Sequence, residues 1–229
     1  MSFEHPDQIG MVAEICQSFV LDNGAFSHWK QGMGVIDIDA YEEWIEEWSL
    51  HPGFDWCLIP DVIDGSELDN IDLIKDWISR NASIKHQSVP VWHLHESLGW
   101  LHEMAFNLGL KRIAIGSSGD YSVPGSDEWE FRMSEVMDVI CDAEGRPRVK
   151  VHGLRMMDPK LFSRYPFSSV DSCNVARNIG IDKQWESFKY AGQISKAVRG
   201  DIIAHRIESH AAASVWVKCH QESQGLLFE

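Results

Sequence analysis

Ser168-Ser169-Val170-Asp171-Ser172 reads as a short strand whose end hands one carboxylate out of a core. The run Phe19-Val20-Leu21-Asp22-Asn23-Gly24-Ala25-Phe26 does the same near the start of the chain and then turns sharply at Gly24. Two aspartates far apart in sequence, each closing an apolar strand, suggest a pair of acids at one mouth of a barrel.

The pattern recurs between them. Phe54-Asp55-Trp56-Cys57-Leu58-Ile59-Pro60-Asp61 is a second strand ending in Asp, Val89–Leu94 a third running into His95-Glu96, and Arg112–Gly116 a fourth closing in the loop Ser117-Ser118-Gly119-Asp120. Lys150–Leu154 is the fifth and 168–172 the sixth. Helical spacing of apolar residues fills the intervals. It marks 6–17, then a helix through Leu50 with Tyr41, Trp44, Ile45 and Trp48 inward, opened by a capping box at Asp39-x-x-Glu42. A helix over 67–80 turns Ile71, Ile74 and Ile78 to one face; the next uses Leu98, Leu101, Ala105 and Leu108 and stops at Gly109. The spacing of Trp129, Met133, Val136, Met137 and Ile140 predicts a helix over 127–142, and two more follow at 183–199 and 201–220. Ser27–Gly32 reads as a loop.

Strand, loop and helix alternating at intervals of about 30 residues form parallel βαβ units, and continuous apolar strands are those covered on both faces. The expected fold is α/β, a TIM-type (β/α)8 barrel, complete or shortened. Polar residues close every strand, as barrel sites require, whereas an open sheet would gather them at one switch point. At 229 residues the chain is expected to form one domain, 1–229.

A hydrophobic fraction of 44%, with ten Trp and ten Phe, is enough for a large core. No run of 18 apolar residues occurs and the first residues lack a signal-peptide pattern, so a soluble, cytoplasmic protein with no membrane partner is expected. The five cysteines never form a CxxC pair, which argues for a reducing compartment and against a cysteine zinc site. The net charge of −15 opposes nucleic acid at first sight. It is unevenly spread. From residue 145 onward there are 13 Lys+Arg against 8 Asp+Glu, leaving 7 against 27 before it, so the later part has the charge for a basic face or for a solvated helix surface.

Asp22 and Asp171 are the first candidate pair, because two carboxylates across a cleft divide glycosyl chemistry into attack at the anomeric carbon and proton handling. The bland alternative is that each Asp caps the turn after its strand. Asp61 can accept from the N–H edge of a purine or cap a loop, and the Gly116–Gly119 loop can bring backbone N–H groups to a ligand. His93 and His95 stand two apart; with His152 and Asp171 they also suit a metal-dependent hydrolase of the amidohydrolase type, the rival enzyme reading. A barrel that merely holds a purine or docks on a partner is the non-catalytic reading. Trp29 and Trp92, near strand ends, are candidates for stacking on a base.

Taken together, the motifs resemble the tRNA-guanine transglycosylase superfamily. Leu21-Asp22-Asn23-Gly24-Ala25-Phe26-Ser27 is similar to its DSGGF segment, Ile59-Pro60-Asp61 occupies the place of its base-recognising Asp, Pro90-Val91-Trp92-His93 that of a strand ending in Gln, and Ile115-Gly116-Ser117 that of its glycine loop. Ser169-Val170-Asp171-Ser172 matches the strand bearing the nucleophile. Val151-His152-Gly153-Leu154 and Asp171-Ser172-x-x-x-Ala176-Arg177 look closer to the DNA-modifying branch, which inserts 7-deazaguanines and occurs in phages and genomic islands.

The resemblance covers about residues 19 to 178. It implies Asp171 as nucleophile, Asp22 as general acid/base, and Asp61, His93, Gly116, Ser117, Phe26 and His152 around the base, with no cofactor and no metal. Its implied partners are guanine or a 7-deazaguanine and a nucleic acid, DNA in preference to tRNA because the zinc module of the tRNA enzymes is missing. With no separate nucleic-acid-binding domain, a partner protein or a second copy is expected to supply DNA contacts. The location it implies is cytoplasmic, the host cytoplasm for a phage protein. His93 in place of Gln, and Asn23 and Ala25 in place of Ser and Gly, are departures from the pattern.

Overall fold

A computed structural model describes residues 1–171. Over that span the chain divides into two compact units, one of Met1–Lys150 and one beginning at Val151. The expected helices at 183–199 and 201–220, and Ser172, Ala176 and Arg177 of the last motif, lie outside the described residues, as does most of the positively charged segment.

In the first unit, α1 (Ile9–Ile15) leads to β1 (Phe19–Leu21), α2 (Ala25–Lys30), α3 (Ile38–Ser49), β2 (Phe54–Leu58) and α4 (Glu67–Arg80). Then come β3 (Ser88–Val89), β4 (Val91–His93), α5 (Leu98–Phe106), β5 (Arg112–Gly116) and α6 (Asp127–Ile140). All paired strands are parallel. Leu21 lies opposite Cys57, Leu58 opposite Val89, and His93 opposite Gly116.

The expected single strand 89–94 is two short ones, because Pro90 has no N–H to continue a ladder. The chain simply changes partner there. Ile59 N–H donates to the Val89 carbonyl at 2.8 Å on one side, and Ala114 N–H to the Pro90 carbonyl at 2.9 Å on the other. Each strand of this unit therefore neighbours the one before it in sequence, and Asp22, Asp61, His93 and Gly116 leave the strands at one common edge.

The α/β class with parallel strands is as expected. β4 is buried throughout and β5 in all but its first residue, which the continuous apolar runs required. The core holds Leu21, Tyr41, Trp77, Trp92, Ile113 and Trp129, all essentially inaccessible. Tyr41 ties α3 to the strands, its hydroxyl donating to the Leu58 carbonyl at 2.9 Å.

Three helix readings change. Ser27–Gly32 is largely helix, since α2 starts directly after Gly24, whose φ of 76° ends the preceding turn. The cap of α3 is Asp37, which accepts from Ala40 N–H; the capping box lies instead at Ser66 and Asp69 on α4. The buried face of α4 is Asn70, Ile74 and Trp77, one position off the expected isoleucine stripe, because Trp77 outweighs Ile78 as a core anchor.

The second unit opens along β6 (Lys150–Gly153), continues through α7 (Pro159–Phe162) and returns as β7 (Ser169–Val170). β6 and β7 are parallel, with His152 opposite Ser169. No helix among the described residues is long and apolar enough to cross a membrane.

Candidate functional site

Asn23 sits just past β1 because Leu21 is buried and the next residues turn. Asp22 accepts from Gly24 N–H at 3.1 Å and Asn23 Oδ1 from Ala25 N–H at 2.8 Å, two overlapping side-chain turns that launch α2. Glycine is needed between them: a Cβ on Gly24 would lie 3.0 Å from Glu4 Cγ and 3.2 Å from Ser2 Oγ, at a left-handed φ. With its oxygen so engaged, the Asn23 amide nitrogen faces the next strand. It donates at 2.9 Å both to the Ile59 carbonyl and to Asp61 Oδ1.

Asp61 follows β2 after Ile59-Pro60. Its second oxygen, Oδ2, is 3.0 Å from His93 Nε2 at the end of β4. On the far side of that ring, Nδ1 faces Glu96 Oε1 at 3.4 Å, and the other Glu96 oxygen accepts from His93 backbone N–H at 3.0 Å. Asn70, on the buried face of α4, donates to Glu96 at 3.0 Å, while its own oxygen accepts from Val62 N–H at 2.8 Å. Asn23, Asp61, Asn70, His93 and Glu96 are all buried.

Two buried carboxylates on opposite nitrogens of one imidazole decide its charge. Neutral imidazole has one N–H and can donate to only one of them, whereas imidazolium donates to both. Burial alone lowers the pKa of His93, but the hydrogen bonds and charges of Asp61 and Glu96 outweigh it and raise the pKa to about 9. At neutral pH the ring is a buried cation. Among the described residues no group of three or more His, Cys, Asp or Glu side chains is arranged to hold a metal.

Asp61 is also part of a surface. Together with Ala25, Trp29, Gly32, Gly34, Val35, Val62, Ile63 and Asp64 it lines a cleft of about 340 Å³ between α2 and the loop after β2. Trp29, 41% exposed, is one of the residues that line this cleft. Each Asp61 oxygen accepts one bond from the protein, which leaves further lone pairs for a ligand donor.

No protein-family model matches this sequence, and no curated protein matches it either.

Of the residues singled out in sequence, Asp61 and His93 meet directly. Gly116 supports them, since a Cβ there would lie 3.3 Å from His93 Cδ2, tight against the ring. Ser117 accepts from the Trp129 indole N–H at 3.0 Å. Phe26 is half-buried with its ring 5.7 Å from that of Trp29. Trp92 is wholly buried and donates to the Ser97 carbonyl, so it is a core residue with no face for a base, contrary to expectation. His95 is exposed, stacked 5.7 Å from His93, and bonded to Ser118 Oγ at 2.7 Å.

In the second unit, His152 is buried with Nδ1 2.8 Å from Ser169 Oγ, so strands β6 and β7 share a side-chain bond as well as a ladder. Asp171, half-buried just beyond β7, accepts from Arg155 N–H and donates its own N–H to the Gly153 carbonyl at 3.2 Å. Its carboxylate thus braces the turn after β6, where Arg155 takes a left-handed φ of 60°.

Asn23, Asn70, Glu96 and Arg132 were not singled out as site residues by sequence. Arg132 donates to the carbonyls of Leu94 at 2.9 Å and Glu96 at 2.6 Å and lies over the rings of Trp92 and Tyr121, fixing the turn that carries Glu96. Asn70 did leave a signal: it occupies an inward helical position, four before Ile74 and seven before Trp77, where an amide needs a buried partner.

Proposed function

We propose that this protein is a base-exchange transglycosylase that removes guanine from a nucleic acid, DNA in preference to tRNA, and installs a 7-deazaguanine in its place. The observation that carries the reading is Asp61, a carboxylate held by donors on both oxygens at the wall of a cleft that Trp29 also lines. A planar base whose edge offers adjacent N–H donors matches an acceptor of that kind, and an indole face suits any flat heterocycle. Consecutive parallel strands with polar residues at one edge are also the arrangement a (β/α)8 barrel would give, the fold this reading expects.

The chemistry then follows the roles expected from sequence. An oxygen of Asp171 bonds to C1′ of the guanosine unit as the C1′–N9 bond breaks, and guanine leaves with a proton delivered to it by Asp22. The incoming base surrenders its own proton to Asp22, its nitrogen attacks C1′, and the ester to Asp171 breaks. Atoms and charge balance without a cofactor.

The test is incorporation. Protein, DNA and labelled 7-cyano-7-deazaguanine are mixed, and label in DNA is counted alongside a search for a covalent protein–DNA complex. Wild type is expected to transfer label, and Asp171→Asn to bind the base but neither transfer it nor trap DNA. Asp61→Asn, which turns an acceptor into a donor, is expected to weaken base binding on the order of 100-fold. Equal trapping by wild type and Asp171→Asn would defeat the proposal.

A further inference from the structure

We infer that His93, braced by Glu96 and Asn70, is the positioning residue that fixes the plane of the Asp61 carboxylate as an acceptor and so restricts the cleft to flat bases with adjacent N–H donors. This rests on the base-exchange reading and adds to it the element that sets which edge the site accepts.

A lone carboxylate at a half-enclosed cleft can rotate and turn its lone pairs away from the edge of a ligand. Here that freedom is removed. Asn23 at Oδ1 and His93 at Oδ2 pin the carboxylate plane from two directions. The ring is itself pinned, because Glu96 engages both its Nδ1 and its backbone N–H, and Asn70 holds Glu96 from α4. Arg132 then anchors the Leu94 and Glu96 carbonyls to α6. Gly116 leaves room for the ring against β5.

The charge arrangement explains why Glu96 is there. Asp61 and Glu96 are two buried acids with one cation between them, and the pair of carboxylates keeps the ring protonated. The groups facing the ring are these two acids, the exposed His95 imidazole 5.7 Å away, and the uncharged Asn70 and Gly116. Tyr41 senses Asp61 too, but its phenol stays protonated: burial, and then the charges of Cys57, Asp22 and Asp61, push it well up. Without the ring, the donor at Oδ2 is lost and the Asp61 carboxylate is free to turn about its bond from Asn23, so its lone pairs no longer hold one direction at the cleft.

The experiment measures binding of 7-cyano-7-deazaguanine to the full chain at pH 7.5 for wild type, His93→Gln and His93→Leu. His93→Gln keeps a side-chain donor for Asp61 Oδ2 and should bind within several-fold of wild type, whereas His93→Leu leaves that oxygen unpinned and should bind roughly 10-fold or more weaker. Equal affinity in wild type and His93→Leu, or an equal loss in both variants, overturns the inference and leaves the base-exchange reading standing. A wild type that binds no base overturns both. Should the variants fail to fold, nitrogen NMR of the wild-type His93 ring decides: a protonated Nε2 facing Asp61 supports the inference, and an unprotonated Nε2 sinks it.

Discussion

The His93 side chain is only 3% exposed, yet pairing with two acids raises its pKa above the ordinary imidazole value, to about 9. A group whose pKa rises on folding stabilises the fold fully below its unfolded pKa, near 6.5, and loses that contribution as pH climbs through the folded value. Stability should therefore decline between about pH 6.5 and 9, by at most on the order of 3 kcal/mol from this group. Urea titrations at pH 6, 7.5 and 9 would measure it, and His93→Gln should flatten the trend in that window. Asn70→Ala removes a donor from the buried Glu96 carboxylate, with an expected loss of about 2 kcal/mol in the same assay at pH 7. Asp61 and His93 were legible in sequence because each is a polar residue at the close of an apolar strand. Glu96 was not, since nothing in a His-x-His-Glu run says that the chain folds back to bring the fourth residue under the first.

Among the elements, α2 and α5 matter most for the site, and they are held by different means. α2 has only six residues, too few to be stable alone, and it depends on the two side-chain turns at Asp22 and Asn23 and on the left-handed Gly24. A helix that local is hard to find from periodicity, and so the stretch read as loop. Gly24→Ala must accept both a left-handed φ and close contact with Glu4 and Ser2, at an expected cost of 1–2 kcal/mol or about that. Because α2 carries Trp29, the variant should also weaken base binding, which fluorescence or calorimetric titration would show. α5 begins two residues after Glu96, with its cap Ser97 accepting from Trp100 N–H at 3.1 Å. Ser97→Ala should lower stability by about 1 kcal/mol, read as a shift in melting temperature. The apolar spacing of α6 was plain from the sequence; the face of α4 was not, because Ile71, Ile74 and Ile78 made the obvious stripe while Asn70 and Trp77 are the residues buried beside Ile74.

For the molecule as a whole, thiol chemistry reports on the fold. Burial pushes the Cys57 thiol up to about 12, whereas Cys16 is exposed. A maleimide at pH 7.5 should label Cys16 within minutes and Cys57 only after unfolding, as peptide mapping by mass spectrometry would reveal. The α/β class was readable because parallel strands covered on both faces leave uninterrupted apolar runs that no other arrangement requires. What the runs could not convey is where a ladder changes hands. Pro90 sits at that point, flanked by the bonds from Ile59 and Ala114. In heavy water, the amide protons of Ile59 and Ala114 should thus persist as a matched pair on either side of a position that has none. Any opening of the 88–93 segment should let deuterium into both at a common rate, so that two amides far apart in sequence report the loosening of the one segment between them.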